Sequence, residues 1–172
     1  MRPSSAPFLP IEIRPGRPYP LGATVVQEAD GSSGVNFSLF SANAAAVDLL
    51  LFDDYDDAHP RQIVPLDPER HKTYYYWHAY IRGIGDGQIY AYRVQGPYLP
   101  EEGLRFNGNK VLLDPYTRAA AYGANWSRVE ALGLSDNTRS AIKSVVVDTS
   151  GYDWHGDRPL QQARADDECG ED

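Results

Sequence analysis

Apolar residues recur at every second position in the most regular part of the chain. Within residues 34–41, Val35, Phe37 and Leu39 hold these positions, and mostly polar residues lie between them. A period of two is that of a β-strand with one face in a core. Further segments rich in Tyr, Phe, Val, Ile and Leu predict strands at 46–53, 61–66, 73–83, 88–96 and, late in the chain, 143–154.

The segments between these strands carry turn-forming residues. Gly, Pro, Asp and Asn are concentrated at 28–34, 53–60 and 83–87. The short segment 83–88 predicts a hairpin turn between the strands on either side of it. Short strands at close spacing, without a long helical period, predict an all-β antiparallel sandwich with irregular loops.

At most one or two short helices are predicted. Residues 114–123 could form one, with Asp114 as the N-cap and Pro115 at the first position. Residues 127–134 could form the other. The sandwich is predicted to span 15–160, after an extended, proline-rich arm at 1–14 and before an acidic, disordered tail at 161–172.

Composition and charge narrow the classes of partner. The net charge is −8, and the only lysines, Lys72, Lys110 and Lys143, are far apart in sequence. Nucleic acids and anionic membranes are therefore poor partners, whereas a neutral polysaccharide carries no such penalty. No apolar run approaches the roughly 20 residues of a membrane helix, and the N-terminus does not resemble a signal peptide, so a cytoplasmic location is expected.

Candidate chemistry is sparse. The single cysteine, Cys169, excludes a disulfide scaffold and a cysteine-based zinc site. The acidic loop 53–57 could attract calcium, but it lacks the EF-hand pattern, so a solvated connection is favoured. Carboxylates in 148–157 could do acid–base work, but turn formation explains them better. Neither a metal nor a cofactor is expected.

The aromatic residues are more informative, because 12 Tyr and 3 Trp offer rings that can stack on sugars. Packing inside the sandwich is the favoured explanation for any single ring, and four rings are the clearest core candidates. These are Tyr75 and Trp77, which share the apolar face of their strand with Ala79 and Ile81, and Tyr90 and Tyr92, which share theirs with Val94. Tyr55 and Tyr98 fall in predicted loops, where core packing is a weaker explanation.

Several motifs in order resemble one family. They lie at 16–24, 34–53, 75–83, 87–119 and 143–160. Together they resemble the N-terminal domain of bacterial isoamylase-type glycogen debranching enzymes, which belongs to carbohydrate-binding module family 48. The resemblance covers about 15–160.

This resemblance implies an immunoglobulin-like β-sandwich ahead of an α-amylase-type catalytic barrel. In the family, the barrel follows this region and carries the carboxylates that cleave α-1,6-glucosidic branches. Here an acidic stretch, 161–172, follows instead. No hydrolysis is therefore expected from this chain alone, and a debranching activity would need a barrel. The alternatives are a module that binds α-glucan (glycogen, starch or maltodextrin) or supports a barrel, and a purely structural domain.

The segment 96–118 is family-typical, and we expect it either to dock on a barrel or to pack on itself as a long loop. The docking candidates are Arg105, Phe106, Asn107, Lys110, Asp114 and Tyr116. Ile142 marks a small departure, because the family often has proline there.

Sugar contacts are implied by a second likeness. Glycogen-binding relatives, such as the β subunit of AMP-activated kinase, use two tryptophans and a lysine. Tyr98 and Tyr55 fall near the tryptophan positions, and Ala91 stands where the lysine would be. Trp77 is predicted to be buried, and binding on an open sandwich face is predicted to be weak.

Overall fold

Two antiparallel β-sheets pack face to face in the computed structural model, which describes residues 11–153 and 155–157. The predicted all-β sandwich is confirmed. The acidic tail 161–172 and the first ten residues of the predicted arm lie outside the described residues. No helix in the described part of the chain is long and apolar enough to cross a membrane.

The first sheet, sheet A, has the order β1-β7-β3-β2, with β6 also paired to β7. Its strands are β1 (Glu12–Pro15), β2 (Gly22–Gln27), β3 (Ser33–Phe40), β6 (Lys72–Thr73) and β7 (Tyr76–Arg82). β1 begins before residue 15, so the sheet includes the end of the predicted arm.

The second sheet, sheet B, has the order β11-β12-β8-β4-β5. Its strands are β4 (Ala46–Phe52), β5 (Gln62–Leu66), β8 (Ile89–Gln95), β11 (Ala119–Ala121) and β12 (Lys143–Val145). A small ribbon pairs β9 (Tyr98–Leu99) with β10 (Leu104–Arg105) across a 3-10 helix, Pro100–Glu102. The one α-helix of the described residues is α1 (Arg128–Leu132).

The main core lies between the two sheets and follows the alternation in the sequence. Sheet A contributes Phe37 and Trp77, and sheet B contributes Leu49 and Tyr90. The Phe37 and Tyr90 rings meet edge to face, with centroids 4.9 Å apart. This geometry is favoured by the ring quadrupoles and joins the sheets at their centre. The predicted burial of Trp77 is confirmed.

A second, smaller core covers the outer face of sheet B. Leu50, Phe52 and Ala91 point away from the main core, and Val111 and Ala141 pack against them. Leu112 bonds to Tyr92 of β8 and so extends the edge of this sheet, whereas the segment between β11 and β12, which contains α1 and Ala141, forms a third layer over part of the sheet. The apolar run 49–52 has no polar position because both faces of β4 are buried.

Three local predictions are wrong. Residues 83–88 do not close a hairpin, because β7 and β8 belong to different sheets. Residues 114–123 form no helix, since Ala119–Ala121 pair with β12 instead and tertiary pairing overrides helix propensity. Tyr75 is exposed at the β6–β7 turn, not buried with Trp77.

The second helix prediction is confirmed. Ser127 is the N-cap of α1, and its side chain accepts a hydrogen bond from the backbone N–H of Glu130. The late strand is confirmed only over Lys143–Val145.

Candidate functional site

The two predicted sugar contacts lie at opposite ends of sheet B. Tyr55 follows the end of β4, and Tyr98 follows the end of β8; both side chains are exposed. The register pairs Ala46 with Gln95 and Phe52 with Ile89. These pairs are six steps apart, or about 20 Å at the usual rise of a strand. The structure therefore does not bring Tyr55 and Tyr98 together.

The sheet face between these two tyrosines is covered. Ala91, the residue expected where relatives have a lysine, is fully buried. Val111 and Ala141 belong to the same buried cluster on the outer face, and Ala141 lies in the layer between β11 and β12 that covers this face. A glucan chain lying flat across the middle of sheet B would have to displace this layer.

Two polar residues of the predicted docking segment hold the covering layer in place. The Lys110 ammonium donates to the backbone oxygens of Glu130 and Ser135, at 2.6 Å each. The Asn107 amide donates to the backbone oxygen of Leu134 at 3.1 Å. These bonds satisfy carbonyls within and just after α1, where a lysine is favourable. Hydrogen bonds of this kind, between the segment 96–118 and the same chain, are expected if the segment packs on itself as a long loop.

Asp114 is the most buried polar residue of this segment. Its carboxylate accepts hydrogen bonds from the Tyr90 hydroxyl and the Tyr116 backbone N–H, each at 2.8 Å. Its own N–H donates to the Ser144 hydroxyl at 2.9 Å. Burial raises the pKa of Asp114, and the bonds from Tyr116 and Tyr90 oppose this rise. Asp114 thus joins β8, β12 and the turn after Val111-Leu112-Leu113.

The remaining docking candidates differ in exposure. The Phe106 ring is half buried and covers Gly96, where a Cβ would lie 2.7 Å from the ring. Arg105 and Tyr116 are exposed. Arg105 and Phe106 line a groove of about 170 Å³ together with Val94 and Leu112. Of the six candidates, Arg105 and Tyr116 are the ones whose side chains are open to a partner.

The acidic loop 53–57 lies over a buried lysine. The Lys143 ammonium donates to the backbone oxygens of Tyr55 at 2.7 Å and Thr138 at 2.9 Å, and lies 4.7 Å from the centre of the Phe52 ring. The pKa of Lys143 lies below its ordinary value because the ammonium is buried. The nearby carboxylates, chiefly that of Asp57, partly oppose this lowering. The loop therefore supplies counter-charges to a core cation. No cluster of His, Cys, Asp and Glu in the described part of the chain could hold a metal.

The carboxylates near the end of the described chain hold turns. Asp148 accepts from the Ser150 N–H at 2.9 Å, and Asp153 accepts from the His155 N–H at 2.8 Å. Side-chain-to-backbone bonds two residues apart are those of Asx turns.

A groove that the sequence did not point to lies beside the acidic loop. It has a volume of about 270 Å³ and is lined by Tyr122, Trp126 and Ile142. Tyr122 is 68% exposed and Trp126 is 49% exposed. The only sequence signal for this groove was the surplus of aromatic residues, because neither ring falls on a predicted strand.

An exposed apolar surface adjoins this groove in sequence. Val129, Leu132 and Leu134 are 82%, 75% and 72% exposed. They lie on α1 or just after it, and Lys110 and Ser140 hold the helix by hydrogen bonds that they donate to Glu130. We call these three residues the apolar ridge.

Comparison with known proteins identifies the family. The family described as carbohydrate-binding module 48, the isoamylase N-terminal domain, matches residues 20–117, which is more than half of the chain. The chain belongs to carbohydrate-binding module family 48.

Similar curated proteins are glycogen debranching enzymes. The chain is 42% identical over 148 residues to that of Yersinia enterocolitica, covering 83% of this chain and 20% of the relative. It is 40% identical over 157 residues to that of Serratia proteamaculans, covering 86% of this chain and 21% of the relative. The family 48 module thus spans about a fifth of the length of these relatives.

Solved structures show the same fold. The pullulanase SAP of Group B Streptococcus, in complex with maltotetraose, matches with a TM-score of 0.52 and 22% identity over 80% of this chain and 15% of that one. The pneumococcal glycogen-degrading virulence factor SpuA, as a product complex, matches with a TM-score of 0.51 and 22% identity over 75% of this chain and 12% of that one.

The family match divides the candidate residues of the module into two groups. Tyr55, Tyr98 and the docking candidates all lie within 20–117. The groove residues Tyr122, Trp126 and Ile142, and the apolar ridge, lie beyond it.

Proposed function

We propose that the chain is a non-catalytic module of a cytoplasmic α-1,6-glucan debranching enzyme, where it contacts α-glucan and supports an α-amylase-type catalytic barrel. The observation that carries this proposal is the family 48 match, reinforced by 42% identity to a glycogen debranching enzyme over 83% of the chain. Under this proposal, the α-1,6 bonds are hydrolysed by the catalytic barrel and not by this module. A purely structural domain without sugar affinity is the competing function.

Sugar contact is supported by exposed rings at both ends of sheet B. Tyr55 and Tyr98 are exposed, and each can stack on a glucose ring while its hydroxyl stays hydrated. Because the face between them is covered, each contacts a separate part of a glucan chain. Binding at such small sites is weak, since few contacts offset the ordering of a flexible, hydrated polymer.

Barrel contact is supported by the apolar ridge and the exposed docking candidates. A ridge of exposed aliphatic side chains is typical of a protein interaction surface. Arg105 and Tyr116 provide polar contacts of the kind found in protein interfaces. The relatives are about five times as long as the aligned region, so they contain chain that could cover these residues.

Native affinity electrophoresis with and without glycogen in the gel tests the sugar part of the proposal. We expect glycogen to retard the chain, and Tyr98→Ala or Tyr55→Ala to weaken the retardation, because each removes a stacking surface. Tyr74→Ala is a matched control, since Tyr74 is 86% exposed in the β6–β7 turn, away from sheet B. A folded chain that migrates equally in both gels would point to the purely structural domain.

A further inference from the structure

The groove beside the acidic loop is built by the end of a strand pair. β11 and β12 pair with Ala121 opposite Lys143, so the next positions outward are Tyr122 and Ile142. Strand pairing therefore sets two of the three groove residues side by side, although they are twenty positions apart in sequence.

The third residue is positioned by a turn against the acidic loop. The Trp126 N–H donates to the backbone oxygen of Gly123 at 3.3 Å. Gly123 itself packs on the Asp56 carboxylate so closely that a Cβ there would collide with it. The Asn125 amide also donates to Asp56, at 3.4 Å. These contacts hold the Trp126 turn and the Tyr55 loop together.

Neither aromatic ring contributes to a core. Tyr122 and Trp126 are absent from both buried clusters, although large rings are the side chains that gain most from burial. Two neighbouring rings left open in a nearly apolar groove indicate a ligand surface.

The surroundings of the groove favour a neutral, hydroxyl-rich ligand. The adjoining loop carries Asp54, Asp56 and Asp57, so an anionic ligand would be repelled. Carboxylate oxygens accept hydrogen bonds from hydroxyl groups, and the flat rings match the apolar face of a sugar. The volume, about 270 Å³, lies just below the usual range for ligand pockets, which fits contact with a short stretch of polymer.

We infer that the groove of Tyr122, Trp126 and Ile142 is an α-glucan contact site, in which glucose units stack on the two rings and hydrogen-bond to the acidic loop. This site rests on the proposed function and lies beside Tyr55, so one glucan chain can contact both. The apolar ridge differs from it, since aliphatic side chains offer no stacking surface and suit a protein partner.

Affinity electrophoresis of the full chain in glycogen gels tests the site. We expect Trp126→Ala and Tyr122→Ala each to weaken the affinity by about threefold to tenfold, the range for losing one aromatic contact. Trp126→Phe should retain most of the affinity because it keeps a flat ring. Val129→Ala is the matched control, since it removes a nearby exposed side chain from the ridge without touching the groove. Circular dichroism and thermal unfolding establish that each variant is folded.

The outcomes separate this site from the proposed function. If folded wild-type chain is not retarded, both the glucan site and the sugar part of the proposed function are overturned. If the wild type is retarded and both groove variants match it, the groove is overturned as a sugar site while the proposed function stands. The groove would then be assigned to contact with protein.

Discussion

Buried polar side chains at single positions connect the core of this module to its loops. The Asp114 carboxylate accepts a hydrogen bond from the Tyr90 hydroxyl. The Lys143 ammonium donates one to the backbone oxygen of Tyr55 and so holds that loop. Charged groups in a core cost free energy unless they are hydrogen-bonded, and both are. Such residues place loops accurately but make stability sensitive to pH.

Asp114→Asn should remove one source of this pH sensitivity. The pKa of Asp114 is raised above its ordinary 3.8, so its stabilising effect is complete below 3.8 and is lost as pH rises through the folded-state pKa. We therefore expect the stability of the variant relative to wild type to increase as pH rises from about 4 toward neutrality. Urea unfolding at a series of pH values measures this difference.

Asp30→Asn is a control of opposite sign. Hydrogen bonds from Ser32, with the Arg82 charge, lower the pKa of Asp30 to about 2. Its stabilising effect is present above 3.8 and is lost as pH falls toward 2. The stability of this variant relative to wild type should therefore decrease as pH rises from about 2 to about 4 and change little above that. A relative stability of Asp114→Asn that fails to increase above about pH 4 would contradict the account of Asp114.

At the scale of elements, contacts between distant strands and loops fix positions that local conformational preference does not. The link after β1, for example, lies against the outer face of sheet A. Asn36 of β3 bonds the backbone of Arg17 twice, at 2.7 and 3.0 Å, and the Ser38 hydroxyl donates to the Pro18 backbone oxygen at 2.7 Å. A Cβ on Gly16 would lie 2.6 Å from the backbone of Ala79, so the approach is close. These contacts fasten an edge strand that has few residues of its own.

Asn36→Ala should loosen β1 before it affects the rest of the sandwich. The loss of two partly buried hydrogen bonds is expected to lower the free energy of unfolding by about 1–3 kcal/mol. Hydrogen exchange should accelerate most in β1, and urea unfolding gives the overall change. Asn43→Ala, at an exposed position, is the control. If hydrogen exchange in β1 is the same in Asn36→Ala as in wild type, pairing with β7 alone is sufficient to hold β1 in place.

At the scale of the whole fold, the described residues form a sandwich with a third, partial layer over sheet B. That layer covers the middle of the sheet and carries both the aromatic groove and the apolar ridge outward. A surface with three such exposed aliphatic residues favours association, either with a catalytic barrel or, without one, between copies of the chain.

The purified chain is therefore expected to self-associate as its concentration rises. Leu132→Asn combined with Leu134→Asn should reduce this association, because it replaces apolar area with hydrated amides. Sedimentation velocity over a range of concentrations measures the effect. Tyr74→Asn changes a similarly exposed side chain in the β6–β7 turn, far in sequence from the ridge, and should leave association unchanged. Equal association of wild type and the double variant would remove the ridge as the cause.

Much of this architecture could be predicted because it follows from neighbouring residues. The alternation in β3 places Val35, Phe37 and Leu39 in the core, and Ser127 caps the N-terminus of α1. The family was also evident from the order of motifs. For the sugar-binding site, the sequence pointed to Tyr55 and Tyr98 as exposed candidates. It could not show that they lie at opposite ends of sheet B, because that depends on the pairing of β4 with β8.

The sequence by itself determined the class of fold, the inward face of most strands and the family, since periodicity and motifs are properties of short stretches. Only the tertiary structure decided that 83–88 crosses between sheets, that Ala91 is covered, and that Tyr122, Trp126 and Ile142 meet beside the acidic loop. Each of these depends on which distant segments pair. Pairing is set by the free energy of the whole packed chain, and no short stretch of sequence contains that information.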